Sequence, residues 1–200
     1  MTINKLPNQD DVLYNSGVRG IEATPLYNSP RHFRDRATGS ADIRYTHYGA
    51  RVSGSATAGD VAKLDGLHNP TVTSYSEVHT VISYWTTGDA PPYTDDVELG
   101  VMDNGINADA GAYLDFTTGE YHAGATTAAA TLPSNFDAAL LRIEQDLANG
   151  ETRFYQRGKV NEDVTVADVS SGQYVILQYN SNGAGSNTFG VPYYRQVFVV

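Results

Sequence analysis

The chain of 200 residues suits one domain with some length left over, and no apolar run approaches the ~20 residues that cross a bilayer. Cysteine is absent, which excludes disulfides, thiolate nucleophiles and Cys-ligated zinc. Thirteen basic residues against 23 acidic ones leave a net charge of −10, a field that repels phosphates and argues against nucleic-acid binding.

The kinds of charge carry a second message. Only Lys5, Lys63 and Lys159 are lysine, and aspartate outnumbers glutamate 16 to 7. Short carboxylates hold hydrated cations, and scarce lysine keeps long apolar stems off the surface. The composition therefore reads as adaptation to high salt, where screening weakens self-repulsion. An ordinary acidic protein is the alternative. Met1 to Pro7 lacks the apolar core of a secretory leader. The expectation is a chain that stays in its cell, leaves by another route, or rides on an assembly such as a virion.

Residues 1–40 have weak periodicity and much Asn, Pro, Gly and Asp. They read as an irregular N-terminal arm, with Ala37-Thr38-Gly39-Ser40 as its linker. Arg31, Phe33, Arg34 and Arg36 form a basic, aromatic patch in it, suited to docking on an acidic neighbour in a symmetric assembly. A plain solvated extension is the alternative. Residues 41–200 read as one β-sandwich domain. Ile43 to Tyr48 is a strand. Thr71 to Trp85 is the longest β-run, with Val78, Thr80, Ile82 and Tyr84 on one face. Thr86 to Asp96, holding Pro91-Pro92, is a long loop. Val97 to Met102, Ala112 to Thr117, Glu120 to Ala123, Gln173 to Tyr179 and Val191 to Val200 follow as strands between turn signals. Nine to eleven short strands with frequent turns predict an all-β antiparallel sandwich, of jelly-roll type, or a barrel.

Between Ala123 and Gln173 lies Ala139-Leu-Leu-Arg-Ile-Glu-Gln-Asp-Leu147, then Ala148-Asn149-Gly150, then Glu151-Thr-Arg-Phe-Tyr-Gln-Arg157. Asn-Gly tolerates the positive backbone angles of a tight hairpin. A helix competes: Phe136, Leu140, Ile143 and Leu147 also make one helical stripe, with Ser134 to cap it and Gly150 to stop it.

This hairpin, the strand order and the closing run Tyr193-Tyr-Arg-Gln-Val-Phe-Val199 resemble the concanavalin A-like lectin/glucanase and laminin G-like sandwiches over about residues 70–200. The resemblance implies a concanavalin A-like sandwich and, being a likeness of fold, licenses little about activity. Glucanases of the family carry Glu-x-Asp-x-Glu on one strand, with the three acids on the concave face. The nearest strand here reads Glu98-Leu99-Gly100-Val101-Met102, so two of the three carboxylates are missing and the expectation is no enzyme. Glu98 with Asp115 is the one pair left to test for a divergent hydrolase or lyase.

Sugar binding needs an aromatic ring for the CH face of a pyranose and amides or carboxylates for its hydroxyls. Trp85, the single Trp, stands at a strand end beside Tyr93, Asp95 and Asp96, and Tyr113 and Asp115 extend the set of glycan-binding candidates. A core anchor under a solvated loop is the competing reading of Trp85. Asp103, Asn104, Asn107 and Asp109 crowd one loop with oxygens of the kind calcium takes, although Asx-rich turns commonly bond their own backbone. No other cofactor is expected. The five histidines lack metal-ligand spacing, and no nucleophile elbow or phosphate loop occurs. The reading that follows is a non-enzymatic, homo-oligomeric decoration protein on the virion of a salt-adapted host. Its partners would be other virion proteins through the arm and host glycans through the sandwich, with neither nucleic acid nor membrane. A stand-alone carbohydrate-binding module is the alternative.

Overall fold

The computed structural model describes residues 21–27, 33–46, 49–54, 57–66, 76–87, 93–102, 111–134, 138–169, 174–183 and 187–199. Among these there are fifteen strands and no helix. In chain order they are β1 (Ile21–Tyr27), β2 (Phe33–Ala37), β3 (Asp42–Thr46), β4 (Gly49–Ser53), β5 (Val61–Gly66), β6 (Glu77–Thr87), β7 (Asp96–Met102), β8 (Gly111–Asp115), β9 (Glu120–Ala123), β10 (Thr126–Ala129), β11 (Ala138–Asp146), β12 (Glu151–Gly158), β13 (Glu162–Val166), β14 (Tyr174–Asn180) and β15 (Thr188–Val199).

Two antiparallel sheets result. The eight-stranded one runs β13-β12-β11-β6-β15-β4-β3, with β1 also on β15; the seven-stranded one runs β10-β9-β8-β7-β14-β5-β2. One flank of β15 serves two neighbours. Thr188 to Val191 pair with β4, and Tyr193 onward pair with β1. The change coincides with a register shift against β6 between Gly190 and Tyr193. Pro192 lies in that interval. A proline has no N–H to give a ladder, so a bulge is where a central strand tolerates it.

The core lies between the sheets and follows the two-residue period of the strands. On β6 Val78, Thr80, Ile82, Tyr84 and Thr86 are buried, while the residues between them are partly open. Leu141, Ile143 and Phe154 face inward beside them, against Leu99, Leu114, Tyr121, Leu177 and Tyr179 of the other sheet. Rings interlock through the middle: Phe116 and Phe189 are 5.0 Å apart and Tyr84 and Phe116 5.5 Å, both edge to face. Each such buried side chain is worth ~1.5–3 kcal/mol.

The 139–158 stretch is a hairpin, not a helix. Leu141 and Ile143 point in and Arg142 points out, and Ile143 pairs with Phe154 across the turn. Asp146 fixes the turn by accepting the Asn149 backbone N–H at 3.0 Å and its side-chain amide at 2.7 Å. Gly150 then takes φ +70°, where a Cβ would be strained.

Two segments of the expected N-terminal arm are strands, and residues 1–20 and 28–32 of it lie outside the described residues. Residues 21–27 are the whole of β1, paired with Tyr193–Val199, and 33–37 are β2, paired with β5. Edge strands take their order from the neighbour's backbone and need no strong apolar alternation of their own. Phe33, Arg34 and Arg36 are thus residues of a sheet edge, while Arg31 lies outside the described residues. So do Asp103, Asn104, Asn107 and Asp109.

Candidate functional site

The expected platform of Trp85, Tyr93, Asp95 and Asp96 is divided by the fold. Tyr93 is buried in the core, 5.5 Å from Phe189 and 6.0 Å from Phe116, and its hydroxyl meets Thr86 Oγ1 at 2.9 Å. Asp95 is fully buried. It accepts the Tyr179 hydroxyl and, at 2.9 Å, the Asn182 N–H. Both residues are buried, so neither offers a surface to a sugar. Asp96 emerges on the outer face of the seven-stranded sheet, accepting the Asn180 amide at 3.0 Å. Trp85 emerges on the outer face of the opposite sheet.

On the seven-stranded sheet the register aligns Lys63, Gln178, Glu98, Asp115 and Glu120 across five strands. The next row holds Ile176, Gly100, Tyr113 and His122. Tyr113 and His122 stack at 4.6 Å, and the Tyr113 hydroxyl lies 3.2 Å from His122 Nδ1. Met102, Tyr113 and Ile176 form a second buried apolar cluster, and Lys63, Asp115 and Gln178 are buried as well. Glu98 and Asp115 are direct cross-strand partners. Asp115 Oδ1, however, accepts the N–H groups of Thr117 and Thr118 at 2.7 and 3.0 Å. That carboxylate is tied to a turn, and the face as a whole is largely closed.

The outer face of the eight-stranded sheet is open and polarised. At one end Glu77, Asp146 and Glu151 stand side by side across three strands. His79 sits between carboxylates, 2.6 Å from Glu77 and 3.2 Å from Glu144. A hollow of about 230 Å³ lies there, bordered by Glu77, His79, Glu144, Asp146 and Arg153. Further along, Arg142 and Arg157 flank the Tyr155 ring at 5.1 and 5.7 Å. Burial, with the Glu144 carboxylate that accepts its hydroxyl at 2.9 Å, raises the Tyr155 pKa.

The other end carries Trp85. Gly190 lies between Trp85 and Arg51 in register, and a Cβ on Gly190 would collide with the indole. The ring therefore occupies the space a side chain would take above β15 and extends towards β4. It is half-buried and stacks on no ring among the described residues. Arg51 is exposed and pairs with no carboxylate among them. One row on, Ser53 and Thr188 meet hydroxyl to hydroxyl at 3.1 Å, with Thr87 as the next register neighbour. An apolar plate with a cation and hydroxyls around it can hold a polar ligand that has one apolar side. Arg51 and Gly190 carry no local sequence signal for this role. A glycine inside a strand hints at a close approach, but only the register of β15 brings Arg51 to Trp85. Among the described residues no group of three or more acidic or imidazole side chains has metal-binding geometry.

No family model matches the chain, and no curated protein matches it in sequence. Solved structures match it in shape. A protein of unknown function from Shewanella oneidensis MR-1 superposes with TM-score 0.64 at 11% identity, over 100% of this chain and 97% of that one. Arcelin-5, a lectin-like defence protein from Phaseolus vulgaris, gives 0.62 at 7% identity, over 89% and 98%. Winged bean acidic lectin, complexed with methyl-α-D-galactose, gives 0.57 at 9% identity, over 90% and 98%. The chain has the concanavalin A-like lectin sandwich fold. At these identities the likeness is one of fold, and the lectin-like sandwich must be read for function from its own residues.

Proposed function

We propose that this lectin-like sandwich is a non-enzymatic carbohydrate-binding module and that the sugar lies on Trp85. The observation that carries the reading is the half-open indole laid over Gly190, with no ring stacked on it among the described residues. The CH face of a pyranose stacks on such a plate, and flanking hydroxyls and a guanidinium receive its polar edge. The non-enzymatic part is supported by Glu98, followed on its face by Gly100 and Met102, and by Asp115, held by two backbone N–H groups. Asp42, in the register row next to that of Trp85, is ion-paired with Arg44.

A glycan array probed with the intact chain and with Trp85→Ala tests this reading. Glu98→Gln, on the opposite face, is the control. Loss in the Trp85 variant with retention in the control supports the reading. Loss in the control alone moves the sugar to the seven-stranded sheet, and binding by no form removes the proposal. Thermal melts of all three establish that each is folded.

An assembly role is the second reading. β2, bearing Phe33, Arg34 and Arg36, is the outermost described strand of its sheet, and an edge has backbone groups free to pair with another chain. Together with the acidic, lysine-poor composition this supports seating on a larger particle, such as a virion from a salty habitat. Solution mass at low and at molar salt tests it: a monomer under both conditions, in a preparation containing residues 1–40, removes self-assembly.

A further inference from the structure

We infer that the saccharide held at Trp85 is anionic, and that Arg51 and Arg195 receive its carboxylate or sulfate groups. The inference rests on the sugar-binding reading of Trp85 and names the class of sugar. It begins with an imbalance. The chain carries 23 acidic residues, so a guanidinium on its surface has carboxylates within easy reach. Arg44, Arg142, Arg153 and Arg157, all on the outer face of the eight-stranded sheet, do pair, with Asp42, Glu144, Glu151 and Asp163 respectively. Arg51 and Arg195 point out from the same face and pair with none among the described residues. The Nε of Arg195 is buried and has no hydrogen-bond partner among the described residues. Buried donors are nearly always satisfied, so this one has a place for an acceptor that the described residues do not supply.

The two lie on either side of the bulge in β15. Arg51 stands across Gly190 from Trp85, two strand spacings away or about 10 Å between backbones. Arg195 pairs in register with Val81, four positions before Trp85 on β6, or about 13 Å along the strand. One ring on the indole puts its substituents near Arg51, and a neighbouring sugar unit reaches Arg195. The span suits a short acidic oligosaccharide better than a monosaccharide. A guanidinium presents paired N–H donors at the spacing of carboxylate and sulfate oxygens. The overall charge of −10 repels long polyanions, which favours a short ligand over a nucleic acid.

The test uses the intact chain and five probes: a uronate oligosaccharide, its methyl ester, a sulfated oligosaccharide, a neutral one, and a single-stranded oligonucleotide. Trp85, the only Trp, reports binding by fluorescence, and calorimetry replaces it where Trp85 is changed. The uronate and sulfated probes are expected to bind about tenfold or more tightly than the ester and the neutral probe, and to weaken as salt rises. Arg51→Gln is expected to cost about tenfold for the acidic probes and nothing for the neutral one. Arg195→Gln is expected to act the same way on oligosaccharides only. Arg51 is exposed, so its variant keeps the fold, and a thermal melt verifies this. Equal affinity for uronate and ester, still dependent on Trp85, overturns the anionic assignment and leaves the sugar reading standing. Tighter binding of the oligonucleotide than of any saccharide overturns the saccharide class. Binding of no saccharide overturns both.

Discussion

Glu162, on the outermost described strand of the eight-stranded sheet, accepts the hydroxyl of Tyr121 from the opposing sheet at 2.9 Å. The contact is one link in a chain that crosses the core. Tyr84 donates to Gln156 at 3.0 Å, Gln156 donates to the Tyr121 oxygen at 2.6 Å and to the Thr131 carbonyl at 2.8 Å, and Thr131 returns its N–H and hydroxyl to Glu162 at 3.0 and 2.9 Å. Every member thus has its partner, the condition under which buried polar groups stabilise. Glu162→Ala is expected to cost about 1–2 kcal/mol, because it removes the acceptor of the Tyr121 hydroxyl, while the exposed Thr131 N–H can turn to water. Urea unfolding measures it. In a double-mutant cycle with Tyr121→Phe the two costs should fall short of adding; strict additivity would show that the link carries no energy.

The same tyrosine sets the alkaline limit. Burial foremost, and then the Glu162 carboxylate, raise the Tyr121 pKa against the lowering effect of the Gln156 amide. Burial raises Tyr194 too. A phenol whose folded pKa exceeds its unfolded one contributes stability that is complete below about pH 10 and declines as pH climbs from there towards the folded value. Chemical unfolding between pH 8 and roughly 11 should show that decline, and Tyr121→Phe should reduce it, leaving the part that Tyr194 contributes. At the acid end the sign reverses. The N–H groups of Val169 and Ala125 lower the Asp168 pKa, so its contribution is present above about pH 4 and fades as pH falls through the lowered value. Asp168→Asn should remove that part of the acid dependence.

These latches explain what the sequence concealed. β6 was legible because it alternates cleanly, whereas β11 opens on Ala-Ala-Leu-Leu and fits a helical stripe as well, so that only the Asn149-Gly150 turn and its return strand β12 spoke for a hairpin. β10, Thr126–Ala129, is small and mostly exposed; it is a strand because β9 pairs with it, while Asp168 binds Ala125 and Thr126 at its start. β1 and β2 likewise take their order from β15 and β5. Trp85 was legible as a lone indole at a strand end. Its neighbour Arg51 was not, since 34 positions of chain separate them and only β15 relates the two.

Tyr93 and Asp95 show the opposite error, polar groups of a long loop that tertiary closure draws inside. Tyr93→Phe leaves Thr86 Oγ1 buried without the partner at 2.9 Å and is expected to cost about 1–2 kcal/mol. Asp95→Ala strands both the Tyr179 hydroxyl and the Asn182 N–H, for about 3 kcal/mol. Neither change should alter which glycans an array retains, provided it is run well below each variant's melting temperature. A specificity change in Asp95→Ala would return that residue to the binding site.

Gly190 offers the sharpest check on the outer face. Its Cα hydrogen is what lets the Trp85 ring lie against β15, since a methyl group there would overlap the ring. In Gly190→Ala the indole must swing away, because the backbone of β15 is paired on both sides, with β6 and β4, and gives less easily than a side chain. Overpacking of this kind costs about 1–3 kcal/mol. With one Trp in the chain, the displacement is directly visible: emission should shift to the red as the ring gains water, and iodide quenching should rise. The same variant should lose sugar binding with Arg51 untouched, because the plate and the cation no longer share one surface. An unchanged emission spectrum together with intact sugar binding would mean that the ring does not rest on Gly190 in solution.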